Sequence, residues 1–143
     1  MIARQPDHRV LYLSRLAPDC GYDVFASVCH RARRRNPGMG VSTILLFDGF
    51  RFCQLLTGPE AAVKALVGRI ALDHRHIDMQ WLLAQAMPAV DGPASWASGF
   101  TEPHVLDVFE SPQSTSAKDI LTLFAAIVAE ADLAGDARRV GLP

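Results

Sequence analysis

Short apolar stretches alternate along this chain with longer stretches in which apolar residues recur at helical spacing. Five stretches have the length and the β-branched or aromatic content of strands: 10–14, 41–47, 51–57, 77–87 and 96–100. The Asp48-Gly49 pair predicts a tight hairpin turn between the second and third strands. Residues 77–87 alternate between apolar and polar positions, and Trp81 in this stretch is expected in the core.

Two of the connecting stretches predict helices. Residues 23–35 carry apolar side chains four positions apart and are followed by Asn-Pro-Gly, which ends a helix. Residues 61–73 place Val63, Leu66 and Ile70 on one face. The order is therefore β-α-β-β-α-β with one further strand. This order predicts an α+β fold of the ferredoxin-like type, an open mixed sheet with two helices on one face.

The last third of the chain has a different pattern. After the domain expected over residues 8–101, residues 102–143 predict a C-terminal helical extension. It contains a short helix near 102–110 and a longer amphipathic helix over 116–133. These helices cannot join the two-helix layer without crowding. They therefore either cover the opposite face of the sheet or pair with another chain.

Composition narrows the classes of protein to consider. The chain has 143 residues, half of them apolar, which suits one domain with a hydrophobic core. A net charge of −1 gives no electrostatic reason to expect nucleic acid or a membrane as partner. The three cysteines lack metal-binding spacing, so we expect reduced thiols and no metal site. Without an apolar N-terminal segment, the sequence predicts a soluble cytoplasmic protein.

Several polar residues interrupt the apolar elements. Tyr12 and Gln54 lie in the first and third strands, which are central neighbours in this fold, so their side chains can meet on the helix-covered face. A buried amide without partners costs about 1–3 kcal/mol, so Gln54 needs an explanation. Each residue also has a plain structural interpretation. Tyr12 can be a core tyrosine, Gln54 can face solvent, Asn36 can end a helix, and Arg69 with Asp73 can form a surface ion pair.

The order and spacing of these residues resemble the BLUF family, the blue-light sensors that use FAD. Four segments carry the resemblance: LYLS (11–14), RNPGMGVSTILLF (35–47), GFRFCQLLTGP (49–59) and RIALDHRH (69–76). The likeness covers about residues 8–101. The chain departs from the family pattern at Thr43, where glycine is common, at Thr57 and at Ser98. These departures concern the route of signal output more than flavin binding.

The resemblance implies a flavin ring held between the two helices, over the sheet. Gln54 would bond both the flavin and the Tyr12 hydroxyl, and Asn36 would hold the pyrimidine edge of the ring. Arg69 would reach the C2 carbonyl side and Asp73 the ribityl chain. The remaining implied contacts are the ring sandwich of Val28, Ala32, Phe52 and Ile70, and His76 and Arg35 toward the ribityl and phosphate end.

The resemblance also implies a function without substrate turnover. Blue light would drive electron and proton transfer from Tyr12, and the hydrogen bonds of Gln54 with the flavin would rearrange. The cofactor would be FAD, with FMN as the alternative. The chain is expected to be a short stand-alone photoreceptor and not an enzyme. It would signal to an unidentified downstream protein or through a homodimer or larger homo-oligomer.

Other function classes remain open at this stage. A degenerate protein of the same fold could act as an interaction module without photochemistry. An acylphosphatase-type enzyme needs a glycine-rich phosphate loop, and the sequence after the first strand offers Arg15 without that loop. RNA binding needs exposed aromatic residues on the sheet, where Tyr12 and Phe52 are expected to be covered.

Overall fold

The computed structural model describes residues 5–110, 116–136 and 142. Within them the chain forms six strands, three α-helices and one 3-10 helix. The elements in chain order are β1 (Asp7–Leu16), α1 (Asp23–Gly38), β2 (Ser42–Phe47), β3 (Arg51–Pro59), α2 (Glu60–Ala71), β4 (His76–Met87), β5 (Trp96–Phe100), the 3-10 helix (Pro103–Phe109), α3 (Ala117–Glu130) and β6 (Asp132–Gly135).

The strands form one mixed sheet in the order β4-β1-β3-β2-β5-β6. Strand β1 pairs antiparallel with both β3 and β4, while β2 and β5 run parallel. The first four elements of this order are those of a ferredoxin-like sheet, so the predicted α+β fold is confirmed. The pairing places Tyr12 directly opposite Gln54 in the two central strands.

Side-chain alternation divides the sheet into two buried faces. On one face α1 and α2 pack over the even-numbered residues of β1 and β3 and the odd-numbered residues of β2. The apolar residues of that face form two clusters: Phe25, Ala32, Leu45, Phe47, Phe52 and Trp96 near α1, and Val10, Val41, Leu56, Val63 and Leu66 near α2. Tyr12 and Gln54 share this helix-covered face, because they have the same parity as Val10 in β1 and as Phe52 and Leu56 in β3.

The opposite face of the sheet is covered by the C-terminal extension. Leu106 and Phe109 of the 3-10 helix and Leu121 and Phe124 of α3 are buried against the odd-numbered residues of β1 and β3. The apolar stripe of α3 therefore packs on the sheet of its own chain. Of the two arrangements that the sequence left open, the structure shows this one.

Several element boundaries differ from the expectation; α1, for example, continues to Gly38 instead of ending at residue 35. Helix α3 ends at Glu130, and the following residues form the edge strand β6 instead of continuing the helix to residue 133. Gly99 permits this pairing, because a Cβ at that position would collide with the backbone oxygen of Asp132. In the β2–β3 hairpin the Asp48 amide donates to the Arg51 carbonyl, so the central pair is Gly49-Phe50 and not Asp48-Gly49.

The position of Trp81 was also predicted wrongly. Strand β4 changes register against β1 between the residues that pair with Leu11 and Tyr12, which breaks the simple alternation. Trp81 consequently lies beside Tyr12, with ring centroids 5.5 Å apart, and remains 45 % exposed. In the described part of the chain, no helix is both long and apolar enough to cross a membrane.

Candidate functional site

A cavity opens between α1 and α2 above the central strands. About 650 Å³ of free space lies within it, counted out to its open mouth. Thirteen residues line it: Tyr12, Val28, Arg31, Ala32, Arg35, Leu45, Phe52, Gln54, Arg69, Ile70, Asp73, Arg75 and His76.

The floor of the cavity carries the hydrogen-bonded pair of Tyr12 and Gln54. The Tyr12 hydroxyl donates to Gln54 Oε1, and both side chains are buried. Burial raises the pKa of Tyr12 far above its usual value, so the phenol keeps its proton. Gln54 Nε2 has no hydrogen-bond partner among the described residues. An acceptor atom of a ligand would satisfy this amide, which accounts for a glutamine in an otherwise apolar strand.

Apolar side chains form the walls on either side of this pair. Val28 and Ala32 face the cavity from α1, and Ile70 faces it from α2. Phe52 and Leu45 complete the floor from β3 and β2. A slot with apolar walls and one polar pair at its base suits a flat aromatic ring with hydrogen-bonding atoms on its edge.

The mouth of the cavity is positively charged. Four arginines reach it, Arg31 and Arg35 from α1, Arg69 from α2, and Arg75 beyond it, against the single carboxylate of Asp73. Partial burial and, to a smaller extent, the neighbouring arginines lower the pKa of Arg35. The guanidinium groups therefore favour an anionic group at the mouth, such as a phosphate.

Asp73 is held by Arg75 and not by Arg69. Helix α2 ends at Ala71, so Asp73 lies beyond it, and Arg75 Nη2 approaches Asp73 Oδ2 to 2.5 Å. The i,i+4 ion pair considered from the sequence is therefore not formed. The hydrogen bonds from Arg75 lower the pKa of Asp73 to about 2.

This ion pair predicts a specific pH dependence of stability. The carboxyl has a usual pKa of 3.8 and a folded pKa of about 2, so its stabilisation is complete above 3.8 and is lost as the pH falls through 2. The difference in unfolding free energy between the parent and Arg75→Gln should be constant above that range and shrink toward zero below it. Urea titrations measure it, with Arg33→Gln on exposed α1 surface as the control. A difference that is independent of pH would contradict the assignment.

His76 lines the cavity with both ring nitrogens already engaged. Nε2 lies 2.6 Å from the Ile70 carbonyl oxygen and Nδ1 lies 2.9 Å from Ser14 Oγ. A carbonyl only accepts, so Nε2 donates to it, and in the neutral ring Nδ1 then accepts from the serine hydroxyl. His76 thus fixes the end of α2 over β1, and its ring presents no spare hydrogen-bonding atom.

Asn36 is the one predicted site residue that does not line the cavity. It is fully buried in the last turn of α1, where its Nδ2 donates to Thr43 Oγ1 at 3.0 Å and its Oδ1 accepts from Arg35 Nε at 3.2 Å. Trp96 likewise lies on the helix-covered face without reaching the cavity, and its indole donates to Ser98 Oγ at 3.3 Å.

The other nine predicted side chains, and Arg35, are brought together around the cavity. Sequence reasoning did not select Arg31, Leu45 or Arg75. Arg31 could have been found, because it lies three positions after Val28 and four before Arg35 on the same face of α1. Arg75 gave no such signal, since it follows the helix in an irregular turn. Among the described residues, no cluster of His, Cys, Asp or Glu could hold a metal ion.

Comparison with known proteins agrees with this geometry. The family model described as "Sensors of blue-light using FAD" matches residues 8–91. A curated relative from Escherichia coli (strain K12), the blue light- and temperature-regulated antirepressor BluF, is 38 % identical over 80 residues. That match covers 56 % of this chain and 20 % of the relative, so the chain corresponds to about a fifth of that protein.

Solved structures show the same architecture. The dark-state structure of the BLUF protein BlrB has a TM-score of 0.65 at 20 % identity, covering 85 % of this chain and 96 % of BlrB. Klebsiella pneumoniae BlrP1 with FMN and cyclic diGMP has a TM-score of 0.60 at 24 % identity, covering 87 % of this chain and 35 % of that one. At these sequence identities the structural matches show the fold alone. The family match extends over more than half of the chain, and the chain therefore belongs to the BLUF family, the blue-light sensors that use FAD.

Proposed function

We propose that this chain is a blue-light photoreceptor in which Tyr12 and Gln54 form the photoactive pair of a flavin held between α1 and α2. The observation that carries the proposal is the buried Tyr12–Gln54 hydrogen bond, with Gln54 Nε2 unpartnered at the base of an apolar slot. BLUF domains bind flavin, and the residues present fit one. The slot suits the ring, the amide suits its polar edge, and the arginines suit its phosphates.

Individual contacts follow from the positions of the side chains. Val28, Ala32, Phe52 and Ile70 would enclose the ring, with Leu45 beneath it. Arg69 would meet the carbonyl edge and Asp73 the ribityl hydroxyls. Arg31, Arg35 and Arg75 would bind the phosphate end, and this role suits FAD and FMN equally. His76 would support the site through Ser14 and Ile70.

The proposed chemistry uses the properties of the two buried side chains. A bound flavin supplies blue-light absorption and an oxidising excited state. Tyr12 is a protonated phenol, so it can give up an electron while its proton passes along the existing hydrogen bond to Gln54 Oε1. Gln54 presents a donor and an acceptor on one group, and reversing or tautomerising the amide exchanges them. Return of the electron and proton to Tyr12 then leaves a changed hydrogen-bond pattern without net chemistry.

The output would be a signal to another protein and not catalysis on a substrate. BLUF sensors are in general non-enzymatic photoreceptors, and the E. coli relative is described as a regulated antirepressor. We propose a downstream protein as the partner, with a second copy of this chain as the alternative. Three free thiols, at Cys20, Cys29 and Cys53, support placement in the reducing cytoplasm.

An absorption titration with FAD, followed by illumination, tests this function. We expect saturable binding with resolved flavin bands, and a small reversible red shift of those bands after blue light. A protein that rejects both FAD and FMN would instead be an interaction module on the same fold. A protein that binds flavin without any red shift would contradict the photoreceptor function while supporting the site.

The Asn36–Thr43 hydrogen bond gives a test of the Asn36 contact. Thr43→Val removes the acceptor and leaves Asn36 Nδ2 buried without a partner, at a cost of about 1–3 kcal/mol. If Asn36 turns to the flavin edge when the cofactor binds, this loss should be clearly smaller with FAD than without it. Thermal unfolding with and without FAD measures both losses. Equal losses would show that Asn36 has no part in binding the ring.

A further inference from the structure

A second, larger groove lies at the far end of the sheet, between the 3-10 helix, α3 and the strands β5 and β6. It measures about 1330 Å³, counted out to its open mouth. Its apolar lining includes Phe100, Val108 and Leu123, which are 59 %, 45 % and 38 % exposed. Large side chains exposed together in a concave surface are typical of a binding site for another protein.

Carboxylates surround this groove. Glu102, Glu130 and Asp132 line it and are exposed, and none has an ion-pair partner among the described residues. The acidic residues on the other side of the 3-10 helix differ, because Asp107 and Glu110 are paired with Arg51. Among the described residues that line the groove, His104 is the only one with a basic side chain.

The position of Glu130 adds to the negative potential. It is the last residue of α3, whose final turn contains no basic residue, so the unpaired carbonyls of the helix end lie beside its carboxylate. Repulsion between this carboxylate and the helix end lowers the stability of the isolated chain, and a cationic side chain of a bound partner would offset the repulsion. The groove is thus apolar at its base and anionic at its rim.

A chain of aromatic rings connects this groove to the flavin cavity. Phe52 lines the cavity, and Phe100 lines the groove. Between them the ring centroids are 4.7 Å apart for Phe52 and Phe47, 4.8 Å for Phe47 and Phe25, and 4.9 Å for Phe25 and Phe100. Closely packed rings of this kind transmit displacement, because a dense core deforms little.

We propose that this groove is the docking surface for a basic amphipathic helix of a partner protein, with apolar residues on one face and lysine or arginine beside them. The apolar base would take the anchors at helical spacing, and the three unpaired carboxylates would select the flanking cations. Control of this docking by light rests on the proposed function above, whereas docking in the dark does not.

Synthetic helices test the proposal on the whole chain. The probes are a fluorescent leucine-lysine peptide of about 14 residues, four helical turns, and its leucine-glutamate counterpart. We expect the lysine peptide to bind about tenfold or more tightly than the glutamate peptide, with weakening in added salt. Equal binding of the two peptides, or binding of neither, would overturn the proposal.

Charge reversal locates the binding site. Glu102→Lys/Glu130→Lys/Asp132→Lys should invert the preference toward the glutamate peptide. Reversing Asp19, Asp23 and Glu60, three carboxylates outside the groove, should leave the preference unchanged. A preference that survives the groove reversal would overturn the proposal. The flavin absorption bands of each sample are recorded in parallel. A sample that lacks bound flavin but keeps the preference for the lysine peptide would contradict only the proposed function.

Two other occupants of the groove give distinct results. Occupation by a second copy predicts dimers in sedimentation that dissociate when Leu123→Lys is introduced. Occupation by the chain's own Arg138 and Arg139 predicts that the lysine peptide binds only after both are changed to glutamine. Either result would overturn the proposal, whereas a monomer that binds the lysine peptide without these changes supports it.

Discussion

Tyr12→Phe should bind flavin as the parent does and lose the light-induced red shift completely. The phenylalanine keeps the ring that packs beside Trp81 and His76, so the shape of the cavity is preserved. What is lost is the hydroxyl that donates to Gln54 Oε1 and, in the proposed chemistry, the source of the electron and proton. Stability should also fall by about 1–3 kcal/mol, because the Gln54 oxygen is then buried without its donor.

The second tyrosine of the chain provides the matched control. Tyr22 is 68 % exposed and does not line the cavity, so Tyr22→Phe should keep the red shift in full. Flash illumination with detection in the flavin bands measures both variants. A normal red shift in Tyr12→Phe would remove Tyr12 from the proposed pair, whereas loss of flavin binding would show that the hydroxyl serves the site structurally.

Arg51→Met should destabilise the fold by about 3–5 kcal/mol, the usual cost of leaving one member of a buried ion pair without its partner. The Arg51 side chain is 7 % exposed, and its Nε lies 2.9 Å from Oδ2 of a fully buried Asp48. Its Nη2 also contacts the Pro103 carbonyl and, at 2.8 Å, Asp107. One side chain thus joins the β2–β3 hairpin to the C-terminal extension.

Urea denaturation measures this loss of stability, and two further variants identify its cause. Arg34→Met, on the exposed surface of α1, should change stability little. Adding Asp48→Asn to Arg51→Met should recover part of the loss, because it removes the charge left uncompensated. A loss below about 1 kcal/mol for Arg51→Met, typical of a surface ion pair, would show that the network does not hold the extension in place.

Much of the fold follows from local patterns in the sequence. Each strand that the two helices α1 and α2 cover is a distinct apolar run in the sequence. The order of the elements determines which strands are central in the sheet. That order makes the first and third strands neighbours, so the sequence allows Tyr12 and Gln54 to meet, while the pairing register that sets them opposite each other comes from the structure. The apolar stripe of the last helix, however, fitted the chain's own sheet and a partner equally well.

The errors arise where tertiary contacts override local pattern. The register shift in β4 that exposes Trp81 depends on pairing with β1 and leaves no mark in the alternation of residues 77–87. Strand β6 is four residues long and is held by its pairing with β5. The local sequence does not show this pairing, so the predicted helix continued into the strand. The hydrogen bond from Asn36 to Thr43 similarly depends on how α1 packs against β2, which the spacing of the two residues along the sequence does not determine.

In the proposed function the Gln54 amide bridges Tyr12 and the flavin and changes its hydrogen bonds in light. The most direct measurement is the light-minus-dark infrared spectrum of the FAD-bound protein in the region of the flavin C4 carbonyl, for the parent and for Gln54→Leu. We predict that light lowers the C4 carbonyl frequency in the parent, as a stronger hydrogen bond to O4 requires, and leaves it unchanged in Gln54→Leu. The same lowering in both proteins would contradict this role of Gln54.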